Sequence, residues 1–298
     1  MSIVVGVDPA HRSASALHLA AMLARSTGTD LVVAAVVPPA WPSTAGGADA
    51  EWRGYTRDNA DGALDHAAAV LGGSIAAEYL LHEAPSARRG LVELAEQREA
   101  SMIVVGSAVA GQPGRIALGS ASDTLLHASP VPVAIAPRGY RTEAGSRVSR
   151  VTAAYRGTGA STPLVLGAAG VAAAAGADLR VASFAVVPRD SGTSGAGLDA
   201  DQAIADTWAA DVEKHAASLV RQVTELPDAP EVTGVAVGRG ESWEAALADI
   251  GWERDEVLVV GSSTLGPIAR VFLGSHAAKI LRNSPVPVVV VPHGLAER

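Results

Sequence analysis

The chain contains no cysteine, and that one absence excludes disulfide frameworks, cysteine-ligated zinc, iron–sulfur clusters and cysteine nucleophiles together. Charge is scarce: only 18% of residues are Asp, Glu, Lys or Arg, and they sum to −8. An acidic balance argues against a dedicated binder of nucleic acid or of an anionic membrane surface, since both need basic surface. Long apolar runs are missing as well. The longest weakly polar stretch, Leu164 to Ala177, is rich in Ala and Gly and shorter than the ~18 residues that a membrane span requires. The opening MSIVVGVDP lacks a basic n-region and reaches Asp8 early, so it does not read as a secretory signal. No Gly-Lys-[Ser/Thr] occurs for a Walker-type ATPase and no Gly-x-Ser-x-Gly for a hydrolase elbow. The eight histidines form neither His-x3-His nor His-Glu-x-x-His, so catalytic zinc finds no support. These gaps lead to the expectation of a cytoplasmic protein without a metal site, without catalytic residues, and binding neither membrane nor nucleic acid.

What is present is apolar substance: 298 residues, 48% of them hydrophobic, enough for about two ordinary domains with real cores. The chain also repeats itself, which decides its organisation. Residues Ile103–Gly139 align without gaps on Leu258–Gly294 at an offset of 155, with 17 identities in 37 positions. Earlier stretches match more loosely, Val32–Pro38 resembling Ala182–Pro188. The seam falls in the polar, Gly- and Ser-containing Gly139–Arg150, giving domains at 1–140 and 148–298.

Within the first half, strand-like runs cover Ile3–Val7, Leu31–Val37, Ile75–Leu81, Met102–Val105 and Val131–Ala136. Helical stretches lie between them at Ser13–Arg25, Glu51–Leu71, Leu91–Arg98 and Ala121–Ala128. Trp52, Tyr55, Ala63, Ala67 and Leu71 form one apolar stripe, and Ile204, Trp208, Val212, Leu219 and Val223 form its counterpart in the second half. Continuous Val, Ile and Ala strands indicate burial on both faces, as in a parallel sheet between helices. The pattern predicts an α/β protein of two doubly wound domains, each a five-stranded parallel sheet with right-handed crossovers.

In such a sheet a ligand sits beyond the carboxyl ends of the strands, where the strand order reverses. Strand one ends in Val7-Asp8-Pro9 and strand four in Val105-Gly106-Ser107, followed by Gly111, Gly114 and then Gly119-Ser120 opening a helix. Glycines admit close backbone approach, the N–H groups of a helix start attract phosphate oxygens, and Ser120 and Ser122 add hydroxyls. The same residues also read as an ordinary helix cap and a strand end, and Asp8 as a cap for the following helix. His82-Glu83, at a strand end, is placed either to face the cleft or as an ordinary loop pair, and the loop pair is the preferred reading. Gly157-x-Gly159-x-x-Thr162 approaches a dinucleotide fingerprint but lacks its third glycine and the acidic residue after the next strand, so it reads as a turn and a cap.

On these residues the chain resembles a tandem universal stress protein over nearly its whole length. The resemblance rests on Val-Asp ending strand one, Val-Val-Pro ending strand two, Val-Val-Gly-Ser after strand four, the Gly-Ser helix start and the Ser-Pro-Val-Pro-Val run into strand five. It implies the strand order 3-2-1-4-5, a stress-response regulatory role and an adenine-nucleotide site. It also implies that the fifth strands of the two halves pair, making an intramolecular pseudo-dimer, with a further homodimer and protein partners of unknown identity open. ATP-binding members carry Gly-x2-Gly-x9-Gly-[Ser/Thr]. Mapped here, the first half supplies Gly106, Val109, Gly119 and Ser120, and the second Gly261, Thr264, Gly274 and Ser275. Both halves lack the second glycine but share Gly-x4-Gly-x7-Gly-Ser through Gly111 and Gly266, with Arg115 and Arg270 placed either for a phosphate or on the surface. Val36 and Val186 match the position whose backbone meets adenine. Tyr155 is set against Asp8, and Ala277 against Ser122, which makes the second site the degenerate one. The ligand implied is ATP, with Mg. The alternative is an interaction protein of the same fold that has lost the nucleotide.

Overall fold

The computed structural model describes residues 1–39, 47–157, 161–187, 196–262 and 273–292, with the side chains of 47–49 and 196–205 left aside. The first half runs β1 (Ser2–Val7), α1 (Ser15–Thr27), β2 (Asp30–Val37), α2 (Gly47–Leu71), β3 (Ala77–Glu83), α3 (Ala87–Gln97), β4 (Ala100–Gly106), α4 (Ser120–Leu125) and β5 (Val133–Ala136). The second half repeats it as β6 (Arg150–Ala154), α5 (Thr162–Ala175), β7 (Asp178–Val186), α6 (Ala196–Thr224), β8 (Val232–Gly240), α7 (Trp243–Asp249), β9 (Glu256–Gly261), α8 (Ser275–Asn283) and β10 (Val288–Val291).

All ten strands form one sheet, ordered β3-β2-β1-β4-β5-β10-β9-β6-β7-β8. Each half is therefore parallel in the order 3-2-1-4-5, and the halves meet through β5 and β10. That pairing is antiparallel, Val288 opposite Ile135 and Val290 opposite Val133. It removes the short apolar edge that each half would otherwise present to solvent. Prolines bound it: Pro132 and Pro287 stand just before the strands, where their carbonyls accept from Ile103 and Leu258 and their missing N–H groups are no loss.

The same local devices shape both halves. Helices α1 and α5 end on Gly28 and Gly176, both at φ +64, a left-handed turn that glycine takes without strain. The residue after each glycine donates back into the helix, Thr29 to the Ala24 carbonyl and Ala177 to that of Ala172, closing a Schellman cap. The inner strands are buried on both faces, whereas the edge strands β3 and β8 are partly exposed. Ile3 and Val5 join one cluster with α1, whereas Val4 and Val32 face the other with α3.

Two expectations are corrected by packing. The apolar stripe of α2 is core only from Ala60 onward. Trp52 is 41% and Tyr55 67% exposed, because the helix begins well beyond the sheet it covers. In α6, Val212, Leu219 and Val223 are buried while Trp208 is 36% exposed, and the Ile204 side chain lies outside the described residues. His82 and Glu83 belong to β3 and not to a loop. His82 Nε2 lies 3.1 Å from Glu93 on α3, and Glu83 pairs with Arg57 on α2 at 3.1 Å.

The second half also buries charge. Glu256 is 0% and Arg180 7% exposed. The Glu256 carboxylate accepts from Arg180 at 2.6 Å, from Arg150 at 2.7 Å and from the Thr152 hydroxyl. Arg180 donates further to the carbonyls of Ile250 and Gly251, each at 2.9 Å, and its guanidinium lies 4.9 Å from the centre of the Trp252 ring. Strand register makes Thr152 and Arg180 the counterparts of Val4 and Val32 in the first half, both apolar and buried.

Candidate functional site: the cleft at the carboxyl ends of β1 and β4

β1 is the strand from which the order reverses, with β2 on one side and β4 on the other, so the crevice between the ends of β1 and β4 is where the fold leaves room for a ligand. A cleft of about 550 Å³ opens there, within the usual range for small-molecule sites. All six first-half candidates, Asp8, Val36, Gly106, Gly119, Ser120 and Ser122, line it.

Their availability differs. Ser120, exposed at the start of α4, keeps its hydroxyl free of partners among the described residues. Ser122 is buried, and its hydroxyl is spent locally: it accepts the Gly119 N–H at 2.9 Å and donates to the Gly119 carbonyl at 3.1 Å. It thereby fixes the helix start at the edge of the cleft. Asp8 does not cap α1, whose N-cap is Ala14. Its Oδ1 accepts the Ala10 N–H at 2.9 Å and its Oδ2 lies 3.0 Å from His11 Nδ1. Among the described residues this exposed carboxylate is the only acidic group lining the cleft. His11, Ser13 and Ser107 line it too. Ser107 was marked in the sequence as the end of strand four; His11 and Ser13 were not, although His11, three residues after Asp8, was within reach of it.

The loop from Ser107 to Leu118 is closed by its own bonds. The Ser107 hydroxyl accepts the Ala117 N–H at 2.8 Å and the Ala108 N–H reaches the Ala117 carbonyl at 2.8 Å. Among the described residues only Glu99 and Asp228 are non-glycines with positive φ, so Val109, half exposed, carries no left-handed strain. Gly114 takes the positive φ, +73, and at Gly111 a Cβ would come to 2.6 Å of the Ala117 Cβ. Arg115 reaches Glu244 on α7 of the other half at 2.5 Å. Thr264, Gly266 and Arg270 lie outside the described residues.

The second half places Gly261 at the end of β9, Gly274 just before α8 and Ser275, exposed, as its first residue. Register corrects two alignments. Because Val4 pairs with Val32 as Thr152 pairs with Arg180, the counterpart of Val36 is Phe184, and both pack partly buried on the same cluster. Val186 lies two residues further along. By the same register Asp8 corresponds to Arg156. Tyr155 corresponds to Val7 and turns into the core, 5% exposed, where burial raises the pKa of its phenol. The first cleft thus has a carboxylate where the second half has a cation. Nearby, burial and then the charges of Arg156 and Lys279 hold His276 below its ordinary pKa. Gly157 sits at φ +77 in the turn before α5, as the turn reading requires, and Gly159 lies outside the described residues.

Among the described residues no helix is long and apolar enough to cross a membrane, and no group of three His, Asp or Glu could hold a metal. Compared with known proteins, the chain matches the model of the universal stress protein family twice, over residues 1–137 and 148–292. A universal stress protein of Mycobacterium tuberculosis is 36% identical over 98% of this chain and 100% of its own length. One from Mycolicibacterium smegmatis is 26% identical over 97% of this chain and 96% of its own. A universal stress protein crystal structure from Archaeoglobus fulgidus covers 98% of both chains at a TM-score of 0.57 and 21% identity, a likeness of fold. Two family domains in sequence, two copies of one topology in a shared sheet, and relatives matched end to end agree: the chain belongs to the universal stress protein family.

Proposed function

We propose that the cleft between β1 and β4 binds an adenine nucleotide and that the protein is a nucleotide-responsive regulator. The observation that carries this reading is the open cleft of about 550 Å³ that keeps an apolar wall, a free hydroxyl and a carboxylate around one hollow. Val36 and Leu91 offer a surface for a flat base, and Asp8 is placed for a ribose or base donor. Ser120, with the backbone around Gly106 and Gly119, faces the phosphates. A magnesium ion arriving with ATP takes most of its ligands from phosphate and water and needs one or two carboxylates at most, and Asp8 is the carboxylate at hand. The reading includes no catalytic step. The Asp8–His11 pair stands exposed, and one carboxylate oxygen is already occupied by a backbone N–H.

A second reading, an interaction protein without nucleotide, is favoured by one observation. The loop after β4 is already held by hydrogen bonds, within itself between Ser107, Ala108 and Ala117 and outward to Arg138 after β5, and its family glycine is Val109. Isothermal titration with Mg-ATP separates the two. Micromolar affinity at one site per chain, weakened at least about tenfold in an Asp8→Ala/Gly119→Ala variant, supports the nucleotide reading. Absence of heat at millimolar ATP, with protein shown to be folded and ligand-free, overturns it in favour of the second.

A further inference from the structure

The loop that walls the cleft is fastened to the other half of the molecule. Its ends face the hollow, Ser107, Ala108, Val109 and Ala110 entering it and Gly119 closing it. Its middle turns toward the seam. Ile116 is 2% exposed and lies in the apolar cluster that also holds Leu247 of α7 and Ile280 and Leu281 of α8. The Gly114 N–H donates to the Arg138 carbonyl at 2.9 Å and the Arg138 N–H to that of Arg115 at 3.0 Å, which ties the loop to the residue two past β5. The Arg115 side chain crosses the seam to Glu244.

The helix it reaches is set firmly in place. α7 lies directly on the backbone of β8. A Cβ at Gly238 would overlap the Ala246 carbonyl oxygen, and one at Gly240 would come to 2.5 Å of the Ala246 nitrogen. Close approach of the helix is therefore what requires glycine at both positions. By register Gly238 stands where the first half has His82, so the second half gives up a side chain to seat α7 on the sheet. Ser242 caps the helix, its hydroxyl accepting the Ala245 N–H at 3.2 Å. Trp243 packs on the shared cluster and stands edge-on to His276 of α8, ring centres 5.8 Å apart. Glu244 follows in the first turn, where the helix dipole favours a carboxylate.

We propose that Glu244 is a positioning residue for the cleft of the first half: by holding Arg115 from a fixed helix, it sets the loop between Ser107 and Leu118 in the form that the ligand meets. The second half, with Arg156 where the first has Asp8, thereby serves the site of its partner. The inference rests on the nucleotide reading and adds its regulation across the seam. Coupling of this kind is reciprocal, so a nucleotide in the cleft steadies α7 as α7 steadies the loop.

The test is isothermal titration of the full chain with Mg-ATP beside Glu244→Ala, Arg115→Ala and the double variant, with amide exchange of residues 243–249 followed with and without nucleotide. Each single substitution should weaken binding about two- to fivefold, the size that a partly exposed pair supports. The double variant should bind no worse than either single one, because the same bridge is lost in all three. Mg-ATP should slow exchange in α7 of the parent but not of Arg115→Ala. Unchanged affinity in Glu244→Ala overturns the inference, and so does tighter binding, which would make the bridge a restraint on Arg115. Additive losses, or protection of α7 that survives in Arg115→Ala, overturn it as well. No heat from the parent overturns the nucleotide reading itself and this inference with it, so the two failures are told apart by the parent titration.

Discussion

The two halves share one strand order and yet treat equivalent positions oppositely. Where Val4 and Val32 pack apolar against α3, Thr152 and Arg180 sit around a fully buried Glu256. Where the first half offers Asp8 at the mouth of a cleft, the second offers Arg156. The lesson is that a parallel sheet demands burial at these positions but not one chemistry. Apolar packing and a fully paired ion cluster both meet it, and the strand ends are free to diverge because the sheet does not depend on them.

Four experiments would break or sharpen that contrast. The largest effect belongs to Glu256→Ala, which leaves the buried Arg180 without its carboxylate partner while Arg150 keeps Glu253 at 2.8 Å, and should remove about 3–5 kcal/mol in urea unfolding. Copying the first half with Thr152→Val/Arg180→Val/Glu256→Ser should recover most of that loss, since replacing a buried ion cluster whole by packed side chains is often neutral or better. If the single and triple variants are equally unstable, the halves are not interchangeable solutions.

Next comes Asp8→Arg, which gives the first cleft the residue of the second. Titration with Mg-ATP should show at least about a tenfold loss, ~1.4 kcal/mol, with unfolding unchanged because Asp8 is exposed. Unchanged affinity would mean that the carboxylate does not distinguish the clefts. Arg115→Ala, which cuts the partly exposed bridge to Glu244, should cost about 0.2–1 kcal/mol and speed amide exchange between Ser107 and Leu118. Unaltered exchange would show that the loop is held by its own bonds and those to Arg138, without help from the bridge.

The smallest effect is a pH slope. Burial first, then the charges of Arg141 and Arg25, lower the pKa of His18 from 6.5, and its Nε2 is buried without a hydrogen bond. A folded-state value below the unfolded one means that the unfolded chain binds the extra proton. The stability is present above pH 6.5 and lost as pH falls below it. His18→Asn should flatten that slope in thermal unfolding between pH 7.5 and 5.5, leaving the part due to His276, whose value is lowered likewise. A slope untouched by the substitution would assign it elsewhere.

Much of this architecture was legible in the sequence because the inner strands are continuous Val, Ile and Ala runs and because the second half repeats the first. The junction was legible only by resemblance, as nothing in Val133–Ala136 or Val288–Val291 states its partner. The site was half legible. Asp8, Gly106 and Ser120 stand where strand ends and a helix start placed them, but spacing cannot show that the Ser122 hydroxyl folds back on Gly119 or that Arg115 crosses to Glu244. The Tyr155 and Val186 alignments failed for a physical reason. A slip of one residue turns a side chain to the opposite face of a sheet, and a slip of two moves it along the cleft wall, and string similarity records neither. The buried cluster escaped because Arg150, Arg180 and Glu256 lie far apart in the chain and meet only through the register of three strands.

The antiparallel seam between β5 and β10 has a further consequence. Two separate subunits joined by a four-residue strand pair would part on dilution and could trade partners with related chains. Here the partner is tethered at an effective concentration that dilution cannot lower. The composition of the pair is fixed at one of each kind, so one member could change its residues without ever producing a mismatched assembly.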